Sequence, residues 1–355
     1  MNDEVKQKEQ SITKQYEISV IRLISICFIV ACHILQYYNN KWAFILNIGV
    51  QFFLILSGFL YGLKYEKCDG KKFLKNLWKL FFDYFIVVTL VLLLNKIARD
   101  NNFNAQQIIK FYFAFFWIPG CEHFWYISLI FFCYLLTPIL AAIVDSCSRI
   151  KPVGGGVILN VVICFIISLV IKFYFSSFDV AWSMCFIVPF LFAKDFTENK
   201  IVRYVFVVCT TIGSLIGHYI KFYNHDILLK LIKVFPFYFF NVQDLEYFIR
   251  DINALLSFML LFVIIKFSLQ GLLKLKVIRN ILDFSDKYSY DVYLTHQIFV
   301  LGPLSILTAL NKVSIGFKVI ITLLVVAGFT VFVCVLKKVI IKLINLIKEK
   351  FQNDT

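Results

Sequence analysis

Residues 22–33 read RLISICFIVACH. Nine of the ten residues between Arg22 and His33 are apolar or Cys, with Ser25 the exception. The run extends outward to 18–38, roughly the 17–25 residues that cross a bilayer. Comparable runs recur at 44–63, 80–97, 122–143, 156–175, 180–194, 202–220, 252–270, 288–308 and 317–336. All but the short sixth have a spanning length. The sequence therefore predicts an all-α, polytopic integral membrane bundle of about ten transmembrane helices. Open sheet is excluded at membrane depth, because its edges leave backbone groups unsatisfied in hydrocarbon. A β-barrel would show short alternating strands instead of long unbroken runs.

Composition agrees. The 355 residues are 60% hydrophobic and 16% charged, with a mean hydropathy of +0.80. A soluble core has no room for that much apolar surface. The net charge of +14 belongs to the loops, so topology accounts for it and no nucleic-acid partner is expected. Phe (41) and Tyr (18) suit lipid contact and interfacial belts. The ten Cys lie mostly inside apolar runs without metal spacing and read as small apolar fillers.

An even number of spans puts both termini on one side. With the termini in the cytoplasm, 23 of the 36 Lys and Arg fall in inner loops and 11 in outer ones, as the positive-inside rule demands. The organisation expected is a cytoplasmic N-terminal tail (1–17), a membrane domain (18–336) and a basic cytoplasmic C-terminal tail (337–355). The N-terminus does not read as a cleavable signal, because 1–17 is polar and of mixed charge. The outer segment 221–250, broken by Pro236, reads as re-entrant or interfacial, and the glycines at 154–156 as a loop.

Arg22 and His33 are eleven residues apart, just over three turns, so they project about 20° apart on one helix face and about 16 Å apart along its axis. Sixteen ångströms is about the reach of a pantetheine arm. An acyl-CoA entering from the cytoplasm would rest its phosphates at Arg22, whose fork of donors suits them. Its thioester would then lie near His33, a side chain fit for proton transfer near neutral pH. The plainer alternatives are a snorkelling Arg22 obeying the positive-inside rule and a His33 satisfied in the core. An ionisable group within a span is costly and usually faces a cavity.

Three further stretches accompany this pair: GVQFFLILSGFLYG (49–62), EHFWYISLIFFCYLLTPIL (122–140) and KYSYDVYLTHQIF (287–299). Together and in this order they resemble the signatures of the membrane acyltransferase-3 family over about 18–336. The resemblance implies a membrane enzyme that moves an acyl group, usually acetyl from cytosolic acetyl-CoA, to a hydroxyl, typically of a sugar. It also implies that Arg22 and His33 are the essential pair. Position 51 is Gln where many relatives carry Asp. The basic stretch KKFLKNLWKLFFDYF (71–85) holds lysines where relatives are richer in Arg. Lys71, Lys72, Lys75 and Lys79 are read as a site for the coenzyme's phosphates, or as ordinary inner-loop charge.

His123 and Trp125, beside Glu122 at the mouth of the fourth span, read as acceptor-binding residues or as a wet His and an interfacial Trp. Ser289, Tyr293 and His296 share one helical face and are further substrate-binding candidates, or structural hydrogen-bond partners. Asp83 is expected to pair with a lysine or to hydrogen-bond within the bundle, and Ser57 and Gly58 to allow close helix approach. His218 and His225 carry no motif, and no metal-ligand constellation appears. The function expected is an O-acyltransferase of the cell membrane. Its co-substrate is acetyl-CoA and its acceptor a surface polysaccharide or lipid-linked glycan. The rivals are a glycan transporter or flippase, succinyl or other acyl transfer to peptidoglycan or lipid, and a non-catalytic assembly protein.

Overall fold

The computed structural model describes residues 16–64, 70–99, 102–113, 118–148, 180–223, 242–310 and 312–353, with 159, 162, 163 and 166. Among these residues the secondary structure is helical and no strand occurs. The chain runs α1 (Tyr16–Tyr37), α2 (Ala43–Leu46), α3 (Gly49–Lys64), α4 (Gly70–Arg99) and α5 (Ala105–Tyr112). A 3₁₀ turn (Glu122–Phe124) leads into α6 (Trp125–Ser148), followed by α7 (Val180–Glu198), α8 (Lys200–Tyr223) and α9 (Val242–Ser268). Then come α10 (Gln270–Leu273), α11 (Lys276–Val300), α12 (Ile306–Ala309) and α13 (Ile315–Asn353).

Among the described residues, five segments are long and apolar enough to cross a membrane: Tyr16–Tyr37, Phe73–Ala98, Glu122–Ser146, Ile249–Ser268 and Ile315–Ile347. Exposed Ile, Leu, Val and Phe cover the outside of the bundle, as lipid contact requires. The chain is a multi-pass helical membrane protein. The expected fifth span (156–175) lies almost wholly outside the described residues, as do the glycines at 154–156, His225 and most of 221–250.

Five expected elements differ, two of them, the third (80–97) and the eighth (252–270), by starting ten residues earlier, at Gly70 and Val242. The second run, read as 44–63, is two helices broken at Asn47–Ile48. The ninth, read as 288–308, is α11 and begins twelve residues earlier, at Lys276. Lys276, Arg279, Asp283, Asp286 and Lys287 hide its first half from any hydropathy reading. The tenth, read as 317–336, continues without a break to Asn353 as a 39-residue helix, about 58 Å long at 1.5 Å per residue.

Helix α11 is the least apolar of the long helices, yet it sits among α1, α4 and α13. Ser289, Asp291, Tyr293, Thr295, His296 and Gln297 are all buried on it. It runs parallel to α1, with Arg22 level with Asp286 and His33 level with His296. It runs antiparallel to α13, where Thr295 meets Thr330 at 2.7 Å and Phe299 meets Phe329. A polar helix in this position needs polar partners on its neighbours, because an unpaired polar group in an apolar interior is costly.

Close approach of α3 and α7 makes the opposite wall. A Cβ on Gly58 would lie 2.1 Å from the Phe186 carbonyl oxygen, and one on Gly62 2.3 Å from that of Phe190. Glycine four residues apart therefore lets these helix backbones touch, which is the usual route to tight packing where no hydrophobic force acts between helices. Gly58→Ala is expected to destabilise the protein by about 1–3 kcal/mol through overpacking against a backbone that cannot yield. Gly328 on α13 faces open space, so Gly328→Ala should leave thermal unfolding in detergent unchanged or slightly raised.

Candidate active site

Three histidines from three elements meet at one level of the bundle. His33 comes from α1, His123 from the 3₁₀ turn and His296 from α11. The rings of His33 and His296 are 5.2 Å apart between centroids, and those of His123 and His296 are also 5.2 Å apart. Tyr293 joins them, with its ring 5.6 Å from His123 and 5.8 Å from His296. Its hydroxyl donates to the His123 carbonyl at 2.5 Å, tying the 3₁₀ turn to α11.

Local structure holds the turn in place. Gly120 takes φ of +80°, which an L side chain rarely adopts. Its carbonyl oxygen would lie 2.8 Å from a Cβ on Gly302, in the turn that ends α11. The loop carrying Glu122 and His123 is thus seated on the end of the helix that carries His296. Glu122 accepts from the Gly120 N–H at 2.8 Å and from the Gln297 amide at 3.4 Å.

The neighbours define the protonation of each ring. His296 Nδ1–H donates to the carbonyls of Tyr293 (2.7 Å) and Val292 (3.2 Å). His123 Nε2–H donates to the Leu294 carbonyl at 3.3 Å. His33 Nδ1–H donates to Gln36 Oε1, one turn along α1, at 2.7 Å. A carbonyl oxygen accepts only, so in the neutral form of each ring the other nitrogen keeps its lone pair. His296 Nε2 and His123 Nδ1 are buried and have no partner. Two such acceptors side by side suit a ligand with hydroxyl protons to give. Among the described residues no group of three or more His, Cys, Asp or Glu is arranged to hold a metal ion.

Arg22 lies at the other end of the α1–α11 seam. Its Nη1 donates to Asp286 Oδ1 at 2.7 Å, and Ser19 Oγ donates to Asp286 Oδ2 at 2.7 Å. Arg22 and His33 both therefore turn towards α11, about 16 Å apart by helical rise. Tyr126 packs on Tyr293 with 5.0 Å between centroids, so a line of aromatic rings runs from Tyr126 through Tyr293 to His123 and His296.

Beside that line a cavity of about 250 Å³ opens among Tyr61, Asn76, Lys79, Leu80, Asp83, Tyr134 and Tyr290. Its wall is braced by a buried ion cluster. Lys337 on α13 bonds Asp83 on α4 at 3.0 Å and also bonds Asp291 on α11, which accepts from Cys334 at 3.1 Å as well. Asp83 thus pairs with a lysine as expected, although that lysine lies 254 positions away.

Of the other candidates, Lys71, Lys75 and Lys79 are exposed on α4, and only Lys79 reaches the cavity. Nothing is described for the Lys72 side chain. Trp125 turns away from the histidines to Trp182, 4.8 Å between centroids. Ser289 is buried on α11 but lies about two turns below His296, outside the ring cluster. Gln36, Asp286, Asp291 as an ion partner, and Lys337 were missed. Their pairings span from three to 264 positions, and no local pattern announces the long ones. Gln51 is fully buried with neither amide atom partnered, an arrangement that costs stability.

A helical membrane protein in which three histidines meet inside the bundle, with an arginine about 16 Å along the same helix seam, has the parts for group transfer within a bundle. A family model described as an acyltransferase domain matches residues 15–339. The chain belongs to the acyltransferase-3 family and is a membrane acyltransferase. No curated protein and no solved structure matches it.

Proposed function

We propose that the protein is an O-acyltransferase that moves acetyl from cytosolic acetyl-CoA to a hydroxyl of a surface polysaccharide or its lipid-linked precursor, in a bacterial plasma membrane. Ten spans with both termini in the cytoplasm give this enzyme its donor side at Arg22 and its acceptor side at the histidines. The observation that carries the reading is the meeting of His33, His123 and His296 one pantetheine length along the α1–α11 seam from Arg22.

The donor's diphosphate binds Arg22, and its nucleotide end occupies the tyrosine-lined cavity with Lys79 at the rim. Flat rings stack on the base and the lysine meets phosphate as a point charge. His33, with Nδ1–H held by Gln36, accepts the acceptor's hydroxyl proton on Nε2. The hydroxyl oxygen attacks the thioester carbonyl, the C–S bond breaks, and the departing thiolate takes the proton back from the imidazolium. Proton count and charge close over the cycle. His123 Nδ1 and His296 Nε2 accept further hydroxyl protons of the sugar and orient it.

The test is direct. Full-length protein in nanodiscs is given acetyl-CoA labelled in the acetyl group, with a lipid-linked glycan fraction as acceptor, and mass spectrometry follows the label. CoA release with label on glycan oxygen is the expected result. No turnover with acetyl-CoA, or label confined to lipid or peptidoglycan, rejects this assignment.

A further inference from the structure

We infer that Asp286 is a positioning residue that presents the Arg22 guanidinium to an anionic ligand. This inference rests on the reading that Arg22 receives the donor's phosphates. Four observations carry it. Asp286 is engaged at both oxygens, Oδ1 by Arg22 and Oδ2 by the hydroxyl of Ser19, each at 2.7 Å. Ser19 is 2% exposed, so the carboxylate is anchored from the interior and cannot swing freely. Arg22 meets it through a single nitrogen, Nη1, although a guanidinium and a carboxylate can pair through two. The Arg22 side chain remains 25% exposed against 13% for Asp286, and its other nitrogens are absent from the buried, unpartnered groups.

The geometry is that of a held tool. An end-on pair restrains the long side chain, whose rotamer freedom would otherwise be lost on binding, while the remaining donors of the fork stay available. A bidentate pair would instead occupy the donor edge that phosphate needs. Asp286 also sits on the helix that carries His296, ten residues below it. The same residue thus fixes the arginine relative to the histidines, and hence the span over which a ligand must reach.

The experiment measures CoA binding to full-length protein in nanodiscs by calorimetry, together with the KM for acetyl-CoA and kcat. Asp286→Ala should weaken CoA binding about tenfold, the worth of one oriented charge-assisted hydrogen bond, and raise KM while leaving kcat nearly unchanged. Asp286→Asn keeps an oxygen for Arg22 and should recover binding to within about threefold. Arg22→Ala/Asp286→Ala should bind CoA no more weakly than Arg22→Ala alone, because Asp286 acts through Arg22. Thermal unfolding of each variant separates loss of packing from loss of positioning. Tighter CoA binding by Asp286→Ala would show a competing counter-ion and overturn the inference. Additive losses in the double variant would show a structural tie and overturn it equally. Unchanged binding by Arg22→Ala removes the phosphate reading itself, and the inference with it.

Discussion

His33→Ala is expected to lower acetyl transfer by about 10²–10⁴-fold, the usual worth of a general base, with little change in the KM for acetyl-CoA. In the proposed reaction the imidazole touches the reacting hydroxyl only at the histidine end of the seam, so donor binding at Arg22 should survive its loss. The ring is also partly accessible and held by one side-chain bond to Gln36, so its removal leaves packing nearly intact. Protein yield and unfolding temperature should match those of the parent. Transfer is read from O-acetyl groups on the cell's polysaccharide by NMR and from label transfer in nanodiscs. Retained acetylation at normal protein level would exclude the assigned base, and the neighbouring His296 would then be the ring to replace.

Lys337→Met carries the largest expected loss of stability, about 3–5 kcal/mol. The ammonium stands between Asp83 and Asp291, and the three side chains are only 13%, 11% and 7% exposed. Removing it leaves two carboxylates facing each other in an apolar interior without a counter-charge. The same change breaks an ionic tie between α13 and its neighbours α4 and α11. Asp83→Asn/Asp291→Asn/Lys337→Met, in which no charge remains, should regain most of the loss. Thermal unfolding in detergent gives the comparison. Full stability in the single variant would mean that water or lipid headgroups solvate the carboxylates. Equal instability in the triple variant would mean that α13 is held by shape alone.

The legibility of this protein was uneven. The Arg22–His33 seam could be read because both residues lie on one helix, where a spacing of eleven fixes direction and distance without knowledge of any neighbour. Gly58 was legible for the same reason, as a small residue in an apolar helix where backbones meet. Helix α11 is legible only in its second half, because hydropathy counts Asp283, Asp286 and Lys287 as misplaced in a membrane run. It has no means of knowing that Arg22 stands beside Asp286. Lys337 was assigned to the tail on the same grounds, since a lysine after an apolar run looks like a stop signal until its two carboxylates are found.

The sequence by itself determined the solvent, the helical class and the separation of one cation and one imidazole along one helix. These follow from run length and helical rise, which are local quantities. Only the tertiary structure decided that His123 and His296 join His33, that Tyr293 and Gly120 hold them, and that Asp286 pairs with Arg22. Those partnerships are set by how helices distant in the chain pack together. Each is enforced by the cost of leaving a polar group unpaired in an apolar interior, a cost that appears only once the chain has folded.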